Sequence, residues 1–272
     1  MKIADDNAAT NSTIGNITGK NIENVTLSTK GNLNVGLVTT NATNNSIKTF
    51  DASAVVGNLT ASVIGLGDDA AVKMANGNNN FDALGSAGKL VKITAGNGNN
   101  TIRGTAQSDY ITVGDGFNTI RADRGDNVVK LGDGNSIVEA KDGNDTVEFG
   151  GGYDYLNDNT GTKLDATKAT TTITKTNGAA MIHMDTNGNG TADVNQMVAA
   201  GEGSELKVQW LGGVIQGSST ALDGVRALNY NAGTDTFNAL VLMKPVAPIM
   251  TYGLLITLLL LPLTEAQVTT LL

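Results

Sequence analysis

The chain has 272 residues, 34 of them glycine, with no cysteine, a single histidine, 4% aromatic residues and a formal net charge of -8. That composition excludes disulfide staples and zinc-thiolate sites, and it argues against a nucleic-acid binder because no basic stripe is present to neutralise phosphates. Few aromatics imply a thin core, unlike that of a compact cytosolic enzyme.

The opening residues, Met1-Lys2-Ile3-Ala4-Asp5-Asp6, lack an apolar stretch, so no secretory signal peptide is expected there, and the sequence leaves open that this is a fragment. From residue 11 to about 83, short apolar alternations are broken by Asn, Gly and Thr. The pattern predicts strands near 24–28, 32–38, 46–52, 58–64 and 71–75. Val63, Val72 and Phe81 fall nine apart, and Asn76-Gly77-Asn78-Asn79 is a degenerate form of the turns that follow. The segment 1–92 is therefore read as an irregular β-solenoid, with an insertion over 84–92 that breaks its register.

A regular roll follows over 93–157. Ile102, Ile111, Ile120, Val129, Val138, Val147 and Leu156 each lie nine residues after the last. Nine residues fit a short strand and a tight turn, so eighteen make one coil with two strands. Alternation points Ile111 and Val113, Val129 and Leu131, Val147 and Phe149 inward on one wall. Ile102 and Gly104, Ile120 and Ala122, Val138 and Ala140 line the other. Outward positions pair Lys130 with Glu148 and Arg121 with Glu139, each worth at most about 1 kcal/mol. A solvated face of this kind also counts against an ice-binding array.

The turns on one edge read Gly96-Asn97-Gly98, Gly114-Asp115-Gly116, Gly132-Asp133-Gly134 and Gly150-Gly151-Gly152. Glycine there supplies backbone shapes that other residues resist, and oxygen is the only ligand on offer. Carbonyls and carboxylates repeated at coil spacing suit a hard cation of flexible coordination, calcium before magnesium. A metal-free alternative stands beside this one: Asn and Gly in such turns also form stacked amide hydrogen bonds.

These residues resemble the RTX (repeat-in-toxin) calcium-binding proteins, with their G-G-x-G-x-D-x-U-x nonapeptide and parallel β-roll. The likeness covers seven nonapeptides, about a quarter of the chain. At the family's aspartate position stand Asn100, Asp109, Asn118, Asn127, Ser136, Asp145 and Asp154. The resemblance implies calcium between turns of consecutive coils, with Asp109, Asp145 and Asp154 its best carriers and Asn100, Asn118 and Asn127 in the same register. Asp115, Asp133 and Asp142 occupy the third position, where the family mainly uses a backbone carbonyl. The strings NIENVTLST at 21–29 and FDASAVVGNLT at 50–60 resemble the solenoids of RTX-type bacterial surface-layer proteins.

After Asn157 the period is lost. A β-rich cap is expected over 158–244, with a hairpin formed by 171–176 and 179–184 around Asn177-Gly178. It runs into Asp185-Thr186-Asn187-Gly188-Asn189-Gly190-Thr191-Ala192-Asp193, whose Asp185, Asn187, Asn189 and Asp193 follow the first half of an EF-hand loop, though Gln196 stands at the twelfth position. A plain Asn-Gly turn is the alternative. Further short strands are expected over 213–242, with 230–240 one more degenerate repeat.

His183, alone, cannot build the H-E-x-x-H zinc site of the serralysin proteases, whose C-terminal half the chain otherwise resembles, nor a histidine-containing triad. No acidic pair is singled out for glycosidase or lyase chemistry, so no enzyme is expected. The tail 245–272 carries an uncharged run from 245 to 264, short for a membrane span. It is read as a buried or partner-facing segment, an uncleaved C-terminal type I secretion signal, or a membrane contact.

The whole is therefore an all-β chain, a right-handed parallel β-helix or β-roll with a short β-rich cap, stabilised by Ca2+. The expected role is a structural component of a bacterial surface layer, extracellular, self-associating into a lattice and in contact with cell-surface polysaccharide, with no nucleic-acid or cytoplasmic partner. The alternative role is a calcium-dependent folding and secretion module of an RTX adhesin or exoenzyme.

Overall fold

A strand buried on one face needs apolar residues at every second position, and a chain of such strands joined by tight turns closes its apolar faces only by coiling on itself. The computed structural model does this over residues 1–5, 11–40, 45–141 and 143–159, and describes beyond them the strands Thr170–Lys175, Gly178–Asp185, Val194–Ala200, Leu206–Leu211, Val214–Ser219, Arg226–Asn231 and Thr236–Val241. Every described element is a strand.

Two parallel walls are built alternately. The first wall stacks Lys2–Asp5, Asn24–Thr29, Ile47–Val55, Leu66–Met74, Val91–Ala95, Asp109–Val113, Val128–Lys130, Thr146–Phe149 and Thr170–Lys175. The second stacks Ser12–Ile14 and Ile17–Gly19 on Leu33–Thr40, then Leu59–Ile64, Asn80–Asp82, Thr101–Arg103, Asn118–Asp123, Ser136–Ala140, Tyr153–Asn159 and Gly178–Asp185. Thr94 pairs with Thr112, Thr112 with Lys130 and Lys130 with Glu148, so the coil there is eighteen residues long. Above it the coil lengthens, Asp51 pairing with Lys73 and Lys73 with Thr94. Below it Glu148 pairs with Thr174 across a still longer excursion.

Between the walls lies one continuous apolar column. Ile111, Val129, Val147 and Phe149 meet Ile102, Ile120, Val138 and Leu156, all buried as the alternation predicts. Higher up the core widens to hold Phe50 and Phe81, whose ring centres are 5.7 Å apart and tilted by 49°. Outside, Lys130 Nζ reaches Glu148 at 2.7 Å and Arg121 Nε reaches Glu139 at 2.9 Å, the two pairs expected from the register.

Phe81 stacks beside Ala61, the coil between them being longer than eighteen residues. Two expectations are corrected. The segments 171–176 and 179–184 do not form a hairpin. Thr170–Lys175 joins the first wall and Gly178–Asp185 the second, so the parallel stack continues one coil past the regular repeat. The segment 230–240 is no further coil either, since Arg226–Asn231 and Thr236–Val241 pair antiparallel. The parallel walls end in antiparallel strands: Leu206–Leu211 and Val214–Ser219 extend the first, and Val194–Ala200 with the 226–241 pair extends the second. The tail 245–272 lies outside the described residues.

Candidate metal-binding turns

Each coil turns twice, and the turns stack into two edges. One edge carries residues 75–79, 96–100, 114–118, 132–136 and 150–154; the other carries 104–109, 122–127 and 140–145. Close stacking demands glycine at its tightest points. Gly98 has φ of 130°, and a Cβ on it would stand 2.3 Å from the carbonyl oxygen of Gly77.

Side chains then divide into an outer and an inner ladder. In the outer one, Asn76 Oδ1 accepts the backbone N–H of Asn97 at 2.9 Å, Asn97 Oδ1 that of Asp115 at 3.0 Å, Asp115 Oδ1 that of Asp133 at 2.8 Å, and Asp133 Oδ1 that of Gly151 at 2.8 Å. Asp115 and Asp133 are solvent-exposed, and each does for the next coil what Asn76 and Asn97 do above.

The inner ladder sits at the position where the sequence places its metal ligands. Asn100 is 1% exposed, and its Nδ2 donates to Gly96 O at 3.1 Å, to Gly98 O at 3.0 Å and to Asn118 Oδ1 at 2.9 Å. Asn118 Nδ2 donates in turn to Gly114 O at 3.1 Å and Gly116 O at 3.2 Å. Asn79, one coil above, repeats the arrangement with Ala75 O at 3.0 Å, Gly77 O at 3.1 Å and Asn100 Oδ1 at 2.8 Å. On the other edge Asn127 Nδ2 donates to Gly125 O at 2.9 Å and to Asp145 Oδ1 at 3.0 Å. In all four turns an amide nitrogen lies among the main-chain carbonyls that a cation would need.

The acidic turns differ. Asp145, 1% exposed, accepts the Asn127 backbone N–H through Oδ1 at 3.0 Å, and Asp154, 5% exposed, accepts that of Ser136 at 2.8 Å. Ser136 is too short to span its turn, and its buried Oγ has no hydrogen-bond partner. Asp109 is engaged by its own turn: Thr105 N–H donates to Oδ2 at 2.7 Å and the Thr105 hydroxyl to Oδ1 at 3.0 Å. Burial pushes the Asp109 carboxyl up to about 7, against the lowering effect of the Thr105 bonds, with Asp123 nearby adding to the rise.

Of the other expected ligands, Asp142, Asn187, Asn189 and Asp193 lie outside the described residues, and Asp185 closes the strand Gly178–Asp185. That strand pairs antiparallel with Val194–Ala200. The sequence reading missed Asn79, which lies off the eighteen-residue step, and Thr105, whose role depends on a carboxylate four positions later. Among the described residues no three His, Cys, Asp or Glu side chains cluster. A cation here needs main-chain carbonyls as well as carboxylates.

A buried carboxylate requires compensating charge or donors, and a turn rich in outward carbonyls requires a cation or an amide. Asp145, Asp154 and Ser136 cannot supply the amide. Their turns carry the donor chemistry of a calcium site, all oxygen and partly anionic.

A family described as the RTX calcium-binding nonapeptide repeat (4 copies) matches residues 92–120 and 121–156. Residues 92–156 are an RTX β-roll. RTX nonapeptide repeats bind calcium, and the proteins that carry them are typically secreted by type I export. Their solenoid is a structural, calcium-binding fold. No curated protein and no solved structure matches the chain.

Proposed function

We propose that the protein is an extracellular structural component of a bacterial surface layer, exported by type I secretion and stabilised by calcium in its acidic turns. Asp145 on one edge, and Asp154 with the Ser136 hydroxyl on the other, would each hold an ion together with carbonyls of their own and adjoining turns. Bound calcium supplies the positive charge that lets two carboxylates stay buried. The observation that carries the reading is the two-walled stack of parallel strands from Lys2–Asp5 to Gly178–Asp185, far longer than the RTX repeats alone need, with ion pairs on its outer faces. A stack of this kind suits lateral packing into a lattice, with cell-surface polysaccharide as its anchor.

The confinement of the family match to 92–156 favours a second reading, a calcium-dependent folding and secretion module for an adhesin or exoenzyme. Calcium titration of metal-depleted protein, followed by circular dichroism and negative-stain microscopy, separates the two. Strand gain with two-dimensional sheets is the expected result; strand gain with monomers alone selects the second reading. Absence of any response to calcium overturns both.

A further inference from the structure

The inner ladder divides the solenoid chemically. At Asn79, Asn100, Asn118 and Asn127 the side-chain Nδ2 donates to main-chain carbonyls of its own turn at 2.9 to 3.2 Å. Those amide hydrogens satisfy the oxygens a calcium ion would bind, and the amide brings no negative charge to retain a divalent cation. These four turns do not fit a metal.

Nor do they need one. Each of Asn79 and Asn100 also passes a hydrogen bond to the Oδ1 of the next residue in the ladder, at 2.8 and 2.9 Å, so the amides link coil to coil as a shared ion would. On the first edge the run is broken at Ser136 and does not resume at Asp154. On the second it stops at Asp145.

We propose that the asparagine-bearing coils form a metal-independent template, from about Leu59 to Asn127, and that calcium orders only the coils below it. The template gives the calcium-dependent coils a preformed edge on which to add, so calcium acts by extending an existing solenoid instead of nucleating one. The lower half of this proposal rests on calcium in the acidic turns; the upper half does not.

Hydrogen exchange of the full chain in chelator and in calcium tests both halves. In chelator the amides of Leu59–Ile64, Val91–Ala95 and Thr101–Arg103 should exchange at least about tenfold more slowly than those of Thr146–Phe149 and Tyr153–Asn159, and calcium should close the gap. Uniform loss of protection in chelator overturns the template. Uniform protection in both conditions leaves the template standing and overturns calcium at the acidic turns.

The variant Asn100→Asp places a carboxylate against Gly96 O and Gly98 O. It should lower the melting temperature in chelator and gain one calcium equivalent by calorimetry, with stability recovering as the ion binds. A variant as stable as the parent in chelator, or one that loses stability without acquiring calcium, contradicts the assignment.

Discussion

At the ladder position of each turn, the terminal atoms of one side chain decide what the turn can bind. Asparagine brings a donor and closes the turn on itself; aspartate brings a second acceptor and leaves the carbonyls to something else. Asp109 is the intermediate case, since Thr105 supplies the donors and burial holds the carboxyl near pKa 7, above its usual 3.8. A raised folded-state value means that the protonated acid suits the fold. Its contribution is therefore fully present below about pH 4 and is lost as pH rises through about 7. In chelator the parent should lose a few kcal/mol from this group across that window, on the order of the shift it carries. Asp109→Asn removes the ionisation and keeps an acceptor for Thr105, so its stability should fall less over the same range. Urea unfolding at a series of pH values reads the difference directly, and parallel curves for the two proteins would refute it.

Among the elements, outward pairs along a wall differ in worth because they differ in exposure. Lys130 and Glu148 are both about half exposed, so solvent screens them and Glu148→Gln should cost less than about 1 kcal/mol. Asp123 is another matter. It is 10% exposed, lies 2.8 Å from Arg103 and 3.6 Å from Lys141, and so ties three successive coils together; its bond also raises the Arg103 pKa. It sits at a bulge with φ of 61°, a shape asparagine tolerates, so Asp123→Asn tests the charge without testing the backbone. The loss should exceed that of Glu148→Gln and reach about 1 to 3 kcal/mol, because it leaves a partly buried guanidinium short of its partner. Equal costs in urea titrations of the two variants would show that burial does not matter here. Lys130 and Glu148 could be paired from spacing alone. Arg103 and Asp123 could not, since twenty residues separate them and the bulge between Arg121 and Asp123 shifts the register. The same limit explains Thr170–Lys175 and Gly178–Asp185. Local pattern and an Asn-Gly pair predict a hairpin, but each strand finds a better partner in a wall already built. Inner-ladder positions were legible from the nine-residue step; which of them carry amide bonds among the carbonyls was not, because a repeat fixes where a side chain stands and not which groups it meets.

For the whole molecule the governing fact is that each coil touches only the coil above and the coil below. Cohesion is then a chain of interfaces, and no central core averages out a weak one. Ile111 is fully buried in the first wall, stacked on Ile93 above and Val129 below, at the join between the amide-bearing coils and the acidic ones. Ile111→Ala leaves a cavity costing about 2 to 5 kcal/mol. In a globular domain that loss would be shared, and a single transition would move to lower temperature. In a solenoid it falls on two interfaces and should uncouple what lies on either side. Calorimetry of the calcium-loaded variant should therefore show two transitions where the parent shows fewer, the lower one moving with calcium concentration and the upper one indifferent to it. One transition, displaced intact, would mean that the coils cohere over longer range than nearest-neighbour contact provides.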